Sequence, residues 1–262
     1  MLYIARKNLL RLNINSKNAR GNMGRSILVA SGNGGCGKTT FSIALAISLA
    51  RQGYRVCILD LNFGLRNDDI YLGLEDRVLY DIGDIFSGIC KVEKALVKAD
   101  PAFGDLYLLE ATQNKIIKGI SEGHVRALIK QLKEEFDYVV IDSAASVGEN
   151  IDLVAGGADT AVLVLTPDPL SLRNCDAVDK RLASSRVRSR CFVLNMVKHS
   201  LEEGAFGPTI DEITKILSIP MAGIIPYDEN IQLGNSIGRP VFAEEGSYIA
   251  KNIDEIVGRM LG

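Results

Sequence analysis

From residue 26 onward, short runs of β-branched and aliphatic residues alternate with longer stretches of mixed character. Ser26–Ser31, Arg55–Asp60, Leu106–Leu109, Tyr138–Asp142, Thr160–Thr166, Cys191–Asn195 and Met221–Pro226 are apolar almost without interruption. A strand with one wet face alternates polar and apolar positions. These runs do not, and so predict strands covered on both faces. Between them, the segments Lys38–Gln52, Ser121–Glu135, Ser171–Ala183, Ile210–Leu217 and Tyr248–Met260 have the length and spacing of helices. Parallel neighbours need crossover connections, so the alternation predicts a doubly wound α/β fold. Its sheet is expected to be mostly parallel, with seven or eight strands and helices on both faces. No repeat, low-complexity tract or linker interrupts residues 23–262, which are expected to form one domain behind a basic extension over residues 1–22.

Composition narrows the class. With 262 residues, 47% apolar and 24% charged, the chain can bury a large core and is not a disordered one. A net charge of −2 gives no general attraction for nucleic acid or anionic membranes. The five cysteines (Cys36, Cys57, Cys90, Cys175 and Cys191) form no C-x-x-C pair and no zinc-like spacing, which suits a reducing cytoplasm. No apolar run approaches the roughly 18 residues of a membrane span, and no secretion signal opens the chain. Charge is uneven, however: residues 1–25 hold Arg6, Lys7, Arg11, Lys17, Arg20 and Arg25 without an acid. Wound as a helix, this stretch has no clean apolar face. It is open whether it contacts a membrane surface or partner, is a solvated extension, or precedes a biological start at Met23.

The strongest chemical signal is Gly32-Asn33-Gly34-Gly35-Cys36-Gly37-Lys38-Thr39, which fits G-x-x-x-x-G-K-[ST] directly after a predicted strand and opening a predicted helix. Glycines let the backbone curl until successive N–H groups converge on phosphate oxygens, and the helix adds its positive end. Lys38 is placed for the β/γ-phosphates, and the Thr39 hydroxyl for Mg²⁺. Thr40 fits either helix N-terminal packing or an α-phosphate contact. The apolar run Tyr138–Asp142 ends in an acid, where such proteins hold a magnesium-bound water.

Four further stretches carry a resemblance: SGNGGCGKTT, LDLNFGLRNDDIYLGLEDRVLYDI, IDSAAS and IIPYDENI with GNSIGRPV. In order over about residues 23–261, they resemble the MinD/ParA family of P-loop ATPases, and the GLRN stretch and RPV ending point to its septum-site-determining MinD branch. The resemblance implies an ATP/ADP switch with Mg²⁺, an ATP-bound homodimer, a division-regulator partner that stimulates hydrolysis, and peripheral attachment to the inner face of the cell membrane. It places Gly34, Gly35, Cys36, Gly37, Lys38, Thr39 and Thr40 around the phosphates, and Thr39, Asp60 and Asp142 around magnesium, the two acids through water. Asn195 matches an adenine-reading asparagine, and Pro226 and Asp228 lie in the loop over the base. No specific nucleic acid is implied.

Four departures bear on catalysis. The family's signature lysine, which reaches across the dimer much as an arginine finger does, is replaced by Asn33; such fingers contribute about 10³–10⁵ in rate. The second acid of the family's D-x-D, which orients the attacking water, is Asn62; losing such a group costs about 10²–10⁴. The family's DSPAG reads Asp142-Ser143-Ala144-Ala145-Ser146. The chain ends at Gly262 without the family's C-terminal membrane helix, so membrane recruitment is expected only indirectly or through residues 1–22. The expectation is a MinD-like ATP-binding protein of septum placement with hydrolysis weakened or lost. Also open are a working MinD/ParA-type ATPase that positions a flagellum, pilus or chromosome, and a non-catalytic nucleotide-bound scaffold. Arg66 and Arg77 face either a partner or solvent, and His124 and His199 read as surface or cap residues.

Overall fold

In the computed structural model, residues 23–113, 120–145, 149–198, 207–244 and 246–262 are described; the basic stretch 1–22, Ser146 and His199 lie outside them. The first strand, β1 (Arg25–Ala30), runs through the middle of an eight-stranded sheet. On one side of it lie β5 (Tyr138–Ser143), β2 (Val56–Leu61), β4 (Leu106–Leu109) and β3 (Val97–Lys98). On the other lie β6 (Thr160–Leu165), β7 (Ser189–Val197) and β8 (Met221–Pro226). Every pairing is parallel except β3 with β4. The doubly wound expectation therefore holds, with the strand order reversing at β1, where ligands bind in open α/β sheets.

Alternation along each strand splits the core into two layers. Ile27 and Val29 of β1, Val56 and Ile58 of β2, and Val162 and Val164 of β6 face one layer, formed with α1 (Lys38–Arg51) and α10 (Tyr248–Leu261). Leu28, Cys57, Leu59, Val139, Ile141 and Leu163 face the other, under α5 (Glu122–Glu135), α6 (Glu149–Ala155), α7 (Pro169–Ala183) and α8 (Ile210–Leu217). Helix α1 is buried around nearly its whole circumference, because α10 covers the side turned away from the sheet. Its sequence accordingly lacks a polar face. In contrast, α10 buries Ile249, Ile253, Ile256, Val257 and Met260 on a single stripe.

The predicted helices appear within two residues of their expected limits. Additional elements are the two-residue edge strand β3 and the helices α2 (Asp68–Leu72), α3 (Ile82–Phe86), α4 (Val92–Ala95) and α9 (Glu229–Ser236), together with α6. Each is too short, or too interrupted by polar residues and glycine, for a 3.6-residue apolar period to develop. Several start on strong caps: Asp81 accepts from Gly83 and Asp84 at α3, and Asp168 accepts from Ser171 at α7. His124 is a cap residue, its Nδ1 accepting the Ser121 N–H at 3.2 Å at the start of α5.

Candidate nucleotide and metal site

The carboxyl end of β1 runs into the glycine loop, which closes on α1. Two glycines are required sterically. A Cβ on Gly32 would stand 2.5 Å from the backbone of Asn174, so the loop could not lie against α7. Gly37, at φ +88° and therefore left-handed, would drive a Cβ to 2.2 Å from Nδ2 of Asn195. Around Gly34 and Gly35, by contrast, an added Cβ would meet no atom within 4 Å. No side chain caps α1, so its first-turn N–H groups face the loop's concavity together with the positive end of the helix. This cradle fits a polyphosphate.

The loop is braced from behind. Asn195 donates Nδ2–H to the Cys36 carbonyl at 2.8 Å, from a buried position where the β7–β8 register shifts. The next residue, Met196, has φ +58°, a left-handed conformation that costs a non-glycine residue about 1–3 kcal/mol. Asn33 accepts an Nδ2–H from Asn174 of α7 at 2.9 Å, and its carbonyl accepts the Ser31 hydroxyl at 2.7 Å. Thr40 accepts from Asn235 of α9 at 3.1 Å. Pro226 ends β8, and Asp228 caps α9 by accepting the Asn230 N–H at 2.8 Å.

Lys38 and Thr39 begin α1 beside two acids. Asp60 and Asp142 are register partners on β2 and β5 and are both buried. Thr39 and Ser42 each donate a hydroxyl to Asp142, both at 2.7 Å. Burial pushes the Asp142 carboxyl up, against the pull of these two bonds and the Lys38 charge. Asp60 accepts the Asn62 N–H at 2.7 Å; burial, and then the charge of Asp142, push its carboxyl up to about 7.

Three contributors were missed by the sequence reading: Ser42, Asp68 and Glu110. Glu110, just beyond β4, is pushed up to about 10 by burial and then by the charges of Asp60 and Asp69. Its two buried oxygens lie against the Asp60 carboxyl and have no hydrogen-bond partner among the described residues. Asp68 opens α2 with one carboxylate oxygen within 4.8 Å of oxygens from Asp60 and Asp142. Arg66, the neighbouring base, bonds Asp69 at 2.6 Å and so belongs to the switch segment rather than to solvent, while Arg77 is exposed. A cradle of N–H groups and a set of buried carboxylates beside it match a phosphate chain and a hard divalent cation respectively.

A glycine loop opening a helix at the switch point of a parallel sheet, with a lysine, a threonine and two strand-end aspartates against it, defines a P-loop nucleotide-binding α/β protein. Residues 27–241 match the CobQ/CobB/MinD/ParA nucleotide binding domain, and the chain belongs to that family. It is 36% identical over 242 residues to the septum site-determining protein MinD of Bacillus subtilis, covering 92% of this chain and 90% of that one. To MinD of Thermotoga maritima it is 34% identical over 243 residues, covering 92% and 89%. Among solved structures, a chain of the MinC:MinD cell division protein complex of Aquifex aeolicus superposes with a TM-score of 0.82 at 30% identity, over 90% of this chain and 95% of that one. MinD of Pyrococcus horikoshii complexed with Mg-ADP gives 0.78 at 25% identity, over 90% and 95%. The expected kinship with the MinD branch is borne out.

Proposed function

We propose that this chain is a MinD-like nucleotide switch in the spatial regulation of bacterial cell division, binding Mg-ATP and Mg-ADP with hydrolysis weakened or lost. The observation that carries the binding half is the Thr39–Asp142 hydrogen bond at the foot of an uncapped α1. It holds the magnesium-facing hydroxyl and carboxylate together at the glycine loop. In this reading the backbone of Gly34 through Thr40 binds the phosphates and Lys38 neutralises them. Thr39 is a magnesium ligand, Asp60 and Asp142 hold magnesium-bound water, and Asn195, Pro226 and Asp228 border the base. The bound magnesium supplies charge compensation for the phosphate oxygens.

The catalytic half is where the chain departs from an efficient hydrolase. Asn62 can orient a water but cannot accept its proton. Asn33 carries no charge, and its amide is engaged with Asn174 of the same chain. Both losses weaken turnover, and Asn33 also weakens an ATP-dependent homodimer, because it offers no cation to a facing copy. The Aquifex protein assembles with MinC, and a division regulator of that kind is the partner expected for this chain. Any membrane contact in this reading is indirect or made through residues 1–22; among the described residues no helix is long and apolar enough to cross a membrane.

Calorimetry with ATP and ADP in the presence and absence of Mg²⁺ tests the reading, with phosphate release compared against Lys38→Ala. Magnesium-dependent binding with phosphate release at the Lys38→Ala level is the expected result. Absence of heat with either nucleotide overturns it, and rapid release restores a working ATPase. Sedimentation with ATP then separates a switch, which dimerises, from a permanently loaded scaffold.

A further inference from the structure

Asp60, Asp68 and Asp142 each place a carboxylate oxygen within 4.8 Å of the others. Oxygens bound to one divalent ion at 2.0–2.6 Å stand at most roughly 5 Å apart, so the three can share an ion. All three are almost wholly buried, at 1%, 1% and 0% exposure. Two of them have partners: Asp142 accepts from Thr39 and Ser42, and Asp60 accepts from Asn62. Asp68 is different. Both of its carboxylate oxygens are buried with no hydrogen-bond partner among the described residues. The nearby guanidinium of Arg66 is taken by Asp69. A bare carboxylate here would cost several kcal/mol, and a hydrogen bond from a neighbour is not on offer.

We infer that Asp68 is a direct ligand of a divalent cation seated between Asp60, Asp68 and Asp142, and that this seat fills without nucleotide. The donor set is all carboxylate oxygen, the chemistry of Mg²⁺, Mn²⁺ or Ca²⁺. Three converging acids supply the charge that phosphate oxygens provide when a nucleotide is bound. The cation thus arrives before the nucleotide and orders α2, the helix that Asp68 opens, against the loop. This inference does not depend on nucleotide binding, and its test separates the two.

The full chain, stripped with EDTA and free of nucleotide, is titrated with Mn²⁺ alone, free Mn²⁺ being read by electron paramagnetic resonance. One Mn²⁺ per chain is expected. Asp68→Asn weakens its binding by more than about tenfold, while Lys38→Ala, which removes the phosphate-clamping ammonium, retains it. Melting curves guard against a folding artefact. Asp68→Asn keeps the side-chain volume nearly constant, so its metal-free form folds and melts no lower than metal-free wild type, and the Mn²⁺-induced rise disappears. No Mn²⁺ bound without nucleotide, or equal binding by Asp68→Asn, overturns the inference. Mn²⁺ that appears only with ADP or ATP overturns it while leaving the nucleotide switch standing. Mn²⁺ bound by a chain that takes up no nucleotide sinks the switch and leaves the cation seat in place.

Discussion

The side chain of Asn33 is hydrogen-bonded to that of Asn174, whose Nδ2 lies 2.9 Å from the Asn33 Oδ1. One amide belongs to the glycine loop and the other to α7 of the same chain, so residue 33 is turned inward as a brace. Asn33 also anchors the loop through its carbonyl, which accepts from Ser31 and Cys36. The position where the family resemblance implies a cation aimed at a second subunit is here part of the loop's own bracing.

Restoring the two polar functions together should restore turnover. Asn33→Lys frees residue 33 from Asn174 and returns a cation, and Asn62→Asp returns a carboxylate able to orient and deprotonate water. The double variant is expected to release phosphate at least about 10²-fold faster than wild type, with ATP-dependent dimerisation by sedimentation. If it behaves as wild type in both assays, the assignment of weak hydrolysis to these two asparagines is wrong.

Gly37 and Gly53 share the same left-handed backbone, at φ +88° and +89°, but only Gly37 has a neighbour within reach. Alanine at either should cost about 1–2 kcal/mol for the backbone alone. At Gly37 the added methyl also collides with Asn195, for a total of about 2–4 kcal/mol and loss of nucleotide binding. Gly53→Ala should bind nucleotide normally. Adding Asn195→Ala to Gly37→Ala should recover part of the loss, which a double-mutant cycle in urea would measure.

Ser42 is a positioning residue behind Asp142. Its buried hydroxyl donates to Oδ1 while Thr39 donates to Oδ2, so the carboxylate is gripped from both sides. Ser42→Ala removes one grip and leaves a buried charge short of a donor. The expected cost is about 1.5–3 kcal/mol in thermal or urea unfolding, with a weaker dependence of ADP binding on Mg²⁺. A variant as stable as wild type would mean that the Asp142 carboxyl does not need this bond.

The parts that could be read from the sequence are those written in contiguous residues. Seven strands announced themselves because a strand buried on both faces is an unbroken apolar run. The glycine loop did so because its chemistry occupies eight consecutive positions. β3 pairs two residues at the sheet edge, and no pattern of that length exceeds chance. Ser42 sat inside a helix already explained by burial, and its role appeared only when β5 brought Asp142 to it across 100 positions. Asp68 followed the GLRN stretch as an ordinary polar residue until the fold buried it. Glu110 was the most accessible of the missed residues: it follows an apolar strand as Asp142 ends one, and that analogy was available. Asn174 carries no local signature, because its partner lies on another element.

At the opposite end of β1 from the loop, Asp159 fastens the strand in place. Its Oδ2 accepts the Ser26 N–H at 2.9 Å, the Ser26 hydroxyl at 3.1 Å and the Lys133 ammonium at 2.5 Å. Burial works against the charged form, but the Lys133 and Ser26 contacts together outweigh it and hold the carboxyl below its ordinary value. The sign follows from linkage. An unfolded Asp takes up its proton near pH 4, whereas the folded one resists to lower pH. The stabilisation is therefore complete above about pH 4 and drains away as pH falls through the lower folded value. Asp159→Ala should be less stable than wild type by about 2 kcal/mol at pH 7, and the gap should close progressively below about pH 4. Because Lys133 is largely shielded, moderate salt should narrow the gap only slightly. A difference that stays constant from pH 7 to pH 3 would assign the effect to lost packing rather than to the ion pair, and β1 would then owe its anchoring to Ser26 alone.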